Sequence, residues 1–123
     1  MATLVGHKRG IWSLKYSEEG LLASSSGDMT VKIWKDAQCI RTLEGHANSV
    51  LDVAFLPGGH TVVSAGGDGL LKVWNLKTGV CSTTLTDHED KIWSVDTLST
   101  EQGALILSGG SDGRLIVWKD NTT

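Results

Sequence analysis

Histidine, serine and aspartate recur together three times in this chain. Ser24, Ser64 and Ser108 stand four residues before Asp28, Asp68 and Asp112, and each Asp stands six before Trp34, Trp74 and Trp118. A histidine opens each copy: His7, His46 and His88. These are the residue types of nucleophilic hydrolysis, in which a hydroxyl attacks, an imidazole takes its proton and a carboxylate orients the imidazole. Two observations weigh against that chemistry. Catalysis needs one constellation, not three, and no donor set for an oxyanion accompanies the serines. No catalytic residue is therefore assigned. Metal chemistry is no better served. Cys39 and Cys81 lie 42 residues apart, without the close spacing of a zinc site, and two cysteines are too few for a disulfide scaffold. Neither a metal nor a cofactor is expected.

The elements that must position these residues repeat with them. Gly6-His7, Gly45-His46 and Asp87-His88 recur at separations of 39 and 42, and the three tryptophans at 40 and 44. Each copy carries a short apolar run, a turn, a second run ending in Ser, a tight turn around Asp, and a third run ending in Trp. First strands are expected at Ile11–Tyr16, Val50–Phe55 and Ile92–Thr97. Second strands follow at Leu21–Ser24, Thr61–Ser64 and Ala104–Ser108, and third strands at Val31–Trp34, Leu71–Trp74 and Leu115–Trp118. Fourth strands are expected at Cys39–Leu43 and Val80–Leu85, and Leu4-Val5 reads as a further one ahead of the first copy. The intervening Gly-rich clusters carry turn chemistry, and no stretch keeps a 3.6-residue period, so no helix is expected.

Composition agrees with an all-β chain. Of 123 residues, 15 are Gly and only one is Pro, the balance of many tight turns between short strands. The net charge of -3 argues against nucleic acid as the main direct ligand, DNA included, and leaves no basic patch for a membrane surface. No apolar run is long enough to span a bilayer and no signal peptide is visible, so an intracellular location is expected.

A period near 40, Gly-His early, Ser-x3-Asp in the middle and Trp at the end resemble the WD40 family. The dipeptide that names the family is absent: Lys35, Asn75 and Lys119 follow the three tryptophans, and Asp87 replaces the usual Gly. The resemblance covers the whole chain and implies an all-β fold of three four-stranded antiparallel β-propeller blades. These would form a partial propeller or part of an oligomeric ring. The chain is read as one WD40 segment, 1–123, with repeats at about 2–36, 37–78 and 79–120. The resemblance also implies a buried hydrogen-bond chain in each blade: His7-Ser24-Asp28-Trp34, His46-Ser64-Asp68-Trp74 and His88-Ser108-Asp112-Trp118. The donors and acceptors match, because indole only donates, carboxylate only accepts, and hydroxyl and neutral imidazole do both. On this reading the repeated residues are structural. Cys39 and Cys81 fall at equivalent places in two fourth strands and are not expected to pair. His60 falls outside the repeat and reads as a solvated hairpin residue.

Function is then sought where propellers meet partners, at the mouth of the channel lined by first strands. The position after the first apolar residue of that strand is Trp12, Leu51 and Trp93, with Gly10, Ser49 and Lys91 two residues earlier. Trp is enriched among interface hot spots; equally, Trp12 and Trp93 could pack between blades as core. Closure is the second expectation. Propellers carry about 4–8 blades, so three blades leave exposed blade faces, to be covered by missing flanking blades or by head-to-tail copies of the chain.

Finer words resemble a nucleolar branch of the family, found in the U3 small nucleolar ribonucleoprotein. They are His7-Lys8-Arg9-Gly10-Ile11-Trp12, Leu43-Glu44-Gly45-His46 with Ser49-Val50-Leu51, His88-Glu89-Asp90-Lys91-Ile92-Trp93, and Val117-Trp118-Lys119-Asp120. That resemblance implies a scaffold in a large ribonucleoprotein assembly, serving ribosomal RNA processing in the nucleolus. It also implies blades upstream and a helical tail downstream. The alternative is a generic WD40 adaptor that binds a peptide at the channel mouth, such as a ubiquitin-ligase substrate receptor or a signalling scaffold.

Overall fold

The computed structural model describes residues 2–120. Among these, eleven strands form three antiparallel sheets in chain order. The first sheet holds β1 (Ile11–Tyr16), β2 (Leu22–Ser26), β3 (Thr30–Lys35) and β4 (Gln38–Glu44). The second holds β5 (Val50–Phe55), β6 (Thr61–Gly66), β7 (Leu71–Asn75) and β8 (Val80–Leu85). The third holds β9 (Ile92–Thr100), β10 (Gly103–Gly110) and β11 (Leu115–Asp120). Each sheet is a meander, every strand pairing with its sequence neighbour.

The alternation of apolar residues stacks the sheets. Val62 and Val63 are adjacent on β6, so their side chains point to opposite faces, and both are fully buried. Val62 joins Ala23, Val31, Ile33, Leu43, Val50, Val53 and Trp74 in a core between the first and second sheets. Val63 joins Ala54, Leu56, Ala65, Leu71, Ile92, Val95 and Ile106 in a core between the second and third. The second sheet is thus covered on both faces, and each such valine contributes about 1.5–3 kcal/mol by its burial. The outer sheets each keep an uncovered side, where Leu14 and Tyr16 on β1 and Leu115 and Val117 on β11 are exposed. The inner strand β5 lies against both β1 and β9.

The expected all-β blades with no helix are what the described residues form, with three differences. The third sheet has three strands among the described residues, not four, so β11 carries an outer edge without a partner there. Leu4-Val5, expected as a fourth strand ahead of the first blade, is not a strand: no sheet among the described residues receives it, and Val5 is 84% exposed. The ring is not closed. The β9–β10 hairpin also runs three residues past its expected end. Only Glu101 and Gln102 separate its strands, and Thr100 Oγ1 donates to Gly103 O at 2.6 Å, so pairing continues to the tip. Between β5 and β6, Pro57 and two glycines with positive φ, Gly58 and Gly59, end the ladder earlier.

Candidate functional site

Each Ser-His-Asp-Trp set is brought together in space. In the second sheet Trp74 Nε1 donates to Ser64 Oγ at 2.8 Å, His46 Nε2 lies 2.6 Å from the same oxygen, and His46 Nδ1 lies 3.0 Å from Asp68 Oδ2. The first sheet repeats this through Trp34, Ser24, His7 and Asp28 at 2.9, 2.6 and 2.9 Å. The third repeats it through Trp118, Ser108, His88 and Asp112 at 3.1, 2.7 and 3.0 Å. A carboxylate cannot donate, so Nδ1 carries the imidazole proton and the serine hydroxyl donates to Nε2. The order is that of a hydrolytic triad, but the hydroxyl is out of reach. Ser24, Ser64 and Ser108 are at most 2% exposed, and an indole N–H caps each oxygen. No substrate atom can approach them.

The charge states follow from the same contacts. Burial pushes the Asp68 carboxyl up, but it is outweighed by the Ala47 N–H, the His46 hydrogen bond and the Leu70 N–H, so the group sits below its ordinary range. Asp28 is likewise held down against burial by Thr30, His7 and two backbone N–H groups. Asp112 is held down to about 2 against desolvation by the Glu89 and Arg114 N–H groups and His88. Burial lowers His46, and the opposing pull of Asp68 does not restore it, so its imidazole is neutral.

The two triplets expected to face a partner fall at one end of the sheets. The ladder between the first two strands of every sheet slips by one residue, between Ile11 and Ser13, between Val50 and Asp52, and between Ile92 and Ser94. The extra residues are Trp12, Leu51 and Trp93. A bulge leaves its residue unpaired and re-aims the side chain. Trp12 is 60% and Trp93 54% exposed, Leu51 is half-buried, and none belongs to either core. Just beyond each bulge, the carbonyls of Gly10, Ser49 and Lys91 accept the N–H of Gly27, Gly67 and Ser111 at 2.9, 2.8 and 2.8 Å. These bonds pin the loop before the inner strand to the Asp-bearing turn. Trp12 Nε1, Arg9 Cβ and Ser49 Oγ all lie within 3.6 Å of where a Gly27 side chain would start, so the first and second sheets share this surface. A separate groove of about 940 Å³ opens between the second and third sheets, lined by Val73, Leu85, Ile106 and Trp118, and none of the six partner candidates lines it.

One polar cluster escaped the sequence reading. Asp52, on β5, accepts Ser13 Oγ at 2.6 Å and Lys15 Nζ at 3.0 Å from β1, and the Val95 N–H at 2.9 Å from β9. It ties all three inner strands. Burial opposes its ionisation, but Ser13, the Val95 N–H and Lys15 prevail and keep it charged. The signal was a lone carboxylate inside the apolar run Val50–Phe55. Arg41, on β4, reaches across to the second sheet in the same way, its Nε donating to Leu76 O at 3.1 Å. Cys39 and Cys81 are free thiols on β4 and β8, and His60 is exposed at the start of the β5–β6 hairpin's return.

Comparison with known proteins now bears on these repeats. The sequence matches the family described as WD domain, G-beta repeat, over residues 1–35, 37–75 and 79–119. It is 35% identical to the nuclear distribution protein PAC1 of Arthroderma otae over 94% of this chain and 28% of that protein. It is 30% identical to pre-mRNA-processing factor 17 of Mus musculus over 92% of this chain and 20% of that protein. It is 32% identical to the periodic tryptophan protein 2 homolog of Dictyostelium discoideum over 75% of this chain and 10% of that protein. The chain thus spans little more than a quarter of the length of these relatives, or less.

Proposed function

The chain belongs to the WD40-repeat family, and from that premise we propose that it is a blade segment of a non-catalytic protein-interaction scaffold. The observation that carries this reading is the set of three bulges. They turn Trp12, Leu51 and Trp93 out of the ladders at one end of the sheets, beside Gly10, Ser49 and Lys91. Bulky apolar side chains held this way lose little freedom on docking, and large exposed aromatics are the usual anchors of an interface. The partner is a protein or peptide. The scaffold works in the U3 small nucleolar ribonucleoprotein of the small-subunit processome, in ribosomal RNA processing, and so in the nucleolus. The words from His7 to Trp12, from Leu43 to Leu51 and from His88 to Trp93 support this, and a relative named for pre-mRNA processing supports the coarser reading of a scaffold in RNA processing.

A second reading has its own support. The likeness to nuclear distribution proteins is stronger in identity, up to 42% over 70% of this chain, and favours an adaptor outside RNA processing. Affinity purification of the tagged full-length protein from its own cells separates the two. Enrichment of U3 RNA at least tenfold over a tagged control, reduced by the Trp12→Ala and Trp93→Ala pair, supports the ribonucleoprotein scaffold. Recovery of protein partners without U3 RNA supports the adaptor. Unchanged partner recovery by the double variant refutes the docking role of the bulges.

A further inference from the structure

The loops that lead into β1, β5 and β9 are built alike and charged differently. Lys8 N, Ala47 N and Glu89 N donate to Asp28, Asp68 and Asp112 at 3.0, 2.9 and 3.0 Å, so the three loops leave their sheets from equivalent points. The two residues after each histidine are Lys8-Arg9, Ala47-Asn48 and Glu89-Asp90, and all six are exposed. These loops thus put two positive charges before Trp12, none before Leu51 and two negative charges before Trp93, while Asp52, after Leu51, is ion-paired with Lys15 at 3.0 Å.

Neighbouring charges reduce the contrast without removing it. At the third loop Asp87 adds a negative charge, while Lys91 and Arg114 add positive ones, Arg114 Nη2 lying 3.4 Å from Glu89 Oε1. The sum there is one negative charge. The equivalent positions are Gly6, Gly10 and Thr30 at the first loop and Gly45, Ser49 and Leu70 at the second, all uncharged. Asp28, Asp68 and Asp112 occur once in each copy beside a histidine and cancel from the comparison. The surface therefore runs from basic, through apolar and neutral, to acidic.

We infer that the segment docked across Trp12, Leu51 and Trp93 is a charge-polarised peptide of a partner protein. Its acidic end lies over Lys8 and Arg9, its apolar centre over Leu51 and its basic end over Glu89 and Asp90. The inference rests on the docking role proposed above and specifies the partner's chemistry. Complementary charge at a rim sets orientation and excludes wrong partners. A uniformly anionic nucleic acid fits only the basic third of the row.

The test uses the full-length protein and three synthetic 12-residue peptides with the same leucine centre. One carries glutamates at one end and lysines at the other, one glutamates at both ends, and one lysines at both. Fluorescence anisotropy reads the affinities at low and high salt. The mixed peptide should bind about tenfold more tightly than either other at low salt, a preference that salt erases. Lys8→Glu with Arg9→Glu should make the lysine-ended peptide the tightest, and Glu89→Lys with Asp90→Lys should favour the glutamate-ended one. Three affinities within twofold of one another, or an order unmoved by both charge reversals, overturns the inference. So does tighter binding of a single-stranded RNA oligonucleotide than of any peptide. Trp12→Ala separates the two claims: if it weakens every peptide equally while charge reversal changes nothing, the docking role stands and the polarity falls. If it changes nothing, the docking role falls.

Discussion

Replacing Asp68 with alanine removes one acceptor from three donors: His46 Nδ1 at 3.0 Å, Ala47 N–H at 2.9 Å and Leu70 N–H at 3.1 Å. The losses are unequal. Ala47 is exposed, so water replaces the carboxylate there at little cost. The His46 side chain is 1% exposed, so its Nδ1–H is stranded, while the Leu70 N–H is only partly shielded. The imidazole can move its proton to Nε2, but Nε2 then faces a hydroxyl that has lost its acceptor. Ser64 Oγ has only Lys72 O, at 3.5 Å, to turn to. The defect is passed along the chain, not relieved. A stranded buried donor costs about 1–3 kcal/mol, so one full and one partial loss come to about 2–3 kcal/mol. Urea unfolding of the full-length protein, followed by tryptophan fluorescence, reads the change in midpoint. Asp96→Ala is the control, since Asp96 is exposed and should change stability by no more than about 0.5 kcal/mol. An Asp68→Ala variant as stable as that control refutes the structural role of the hydrogen-bond chain.

Asp52→Ala strands Ser13 Oγ and the Val95 N–H, while Lys15, largely in water, adds little; a loss of about 2–4 kcal/mol is expected in the same urea assay, against under about 1 kcal/mol for Lys15→Ala. Ala37→Gly should stabilise by about 0.5–1 kcal/mol, because Asp36 and Ala37 sit at φ of 51° and 66° in the two-residue β3–β4 turn, where Gly carries no Cβ penalty. Acid should weaken the fold in two stages. His46 is held below its ordinary value of 6.5, so below about that pH the unfolded chain binds a proton that the folded one refuses. Asp28, Asp52, Asp68 and Asp112 are held below 3.8, so a second loss begins as pH falls under that value and continues toward their folded values. Urea midpoints between pH 8 and pH 3 read both stages, and Asp68→Asn should flatten the lower one.

Most of the strand plan was legible because side chains repeat with the backbone. Ile11–Tyr16, Val50–Phe55 and Val80–Leu85 begin and end where their apolar runs do. The hydrogen-bonded sets could be named in advance because the repeats resemble WD40 blades, and the donors and acceptors of indole, hydroxyl, imidazole and carboxylate match that order. What failed to show depended on partners distant in sequence. Leu4-Val5 has strand-like residues, but a strand exists only where a ladder receives it. Asp52 looks misplaced in an apolar run until β1 and β9 are set on either side of it. The bulges were hidden for a related reason. Trp12, Leu51 and Trp93 were singled out by position, yet alternation alone assigns each to a paired site, and only the one-residue slip in register shows that the side chain is turned outward.

Three copies of one element also act as internal controls. Where the copies agree, at Ser24, Ser64 and Ser108 or at the three tryptophans they bond, the common demand is a buried polar group with every bond met. Such residues carry the fold and leave no chemistry for a partner. Where the copies differ on a shared backbone frame, the fold has made no demand. Lys8, Ala47 and Glu89 present the same N–H to the same carboxylate at nearly the same distance, so their side chains are free to differ. Glycine, by the same logic, marks a demand that one copy breaks. Gly69 and Gly113 take φ of 81° and 78° after the aspartate, and the first copy puts Met29 at 74°. That residue bears backbone strain and stays 45% exposed, two positions from the glycine against which Trp12 rests. At that φ a glycine carries no Cβ penalty, so Met29→Gly should stabilise the protein and raise its urea midpoint.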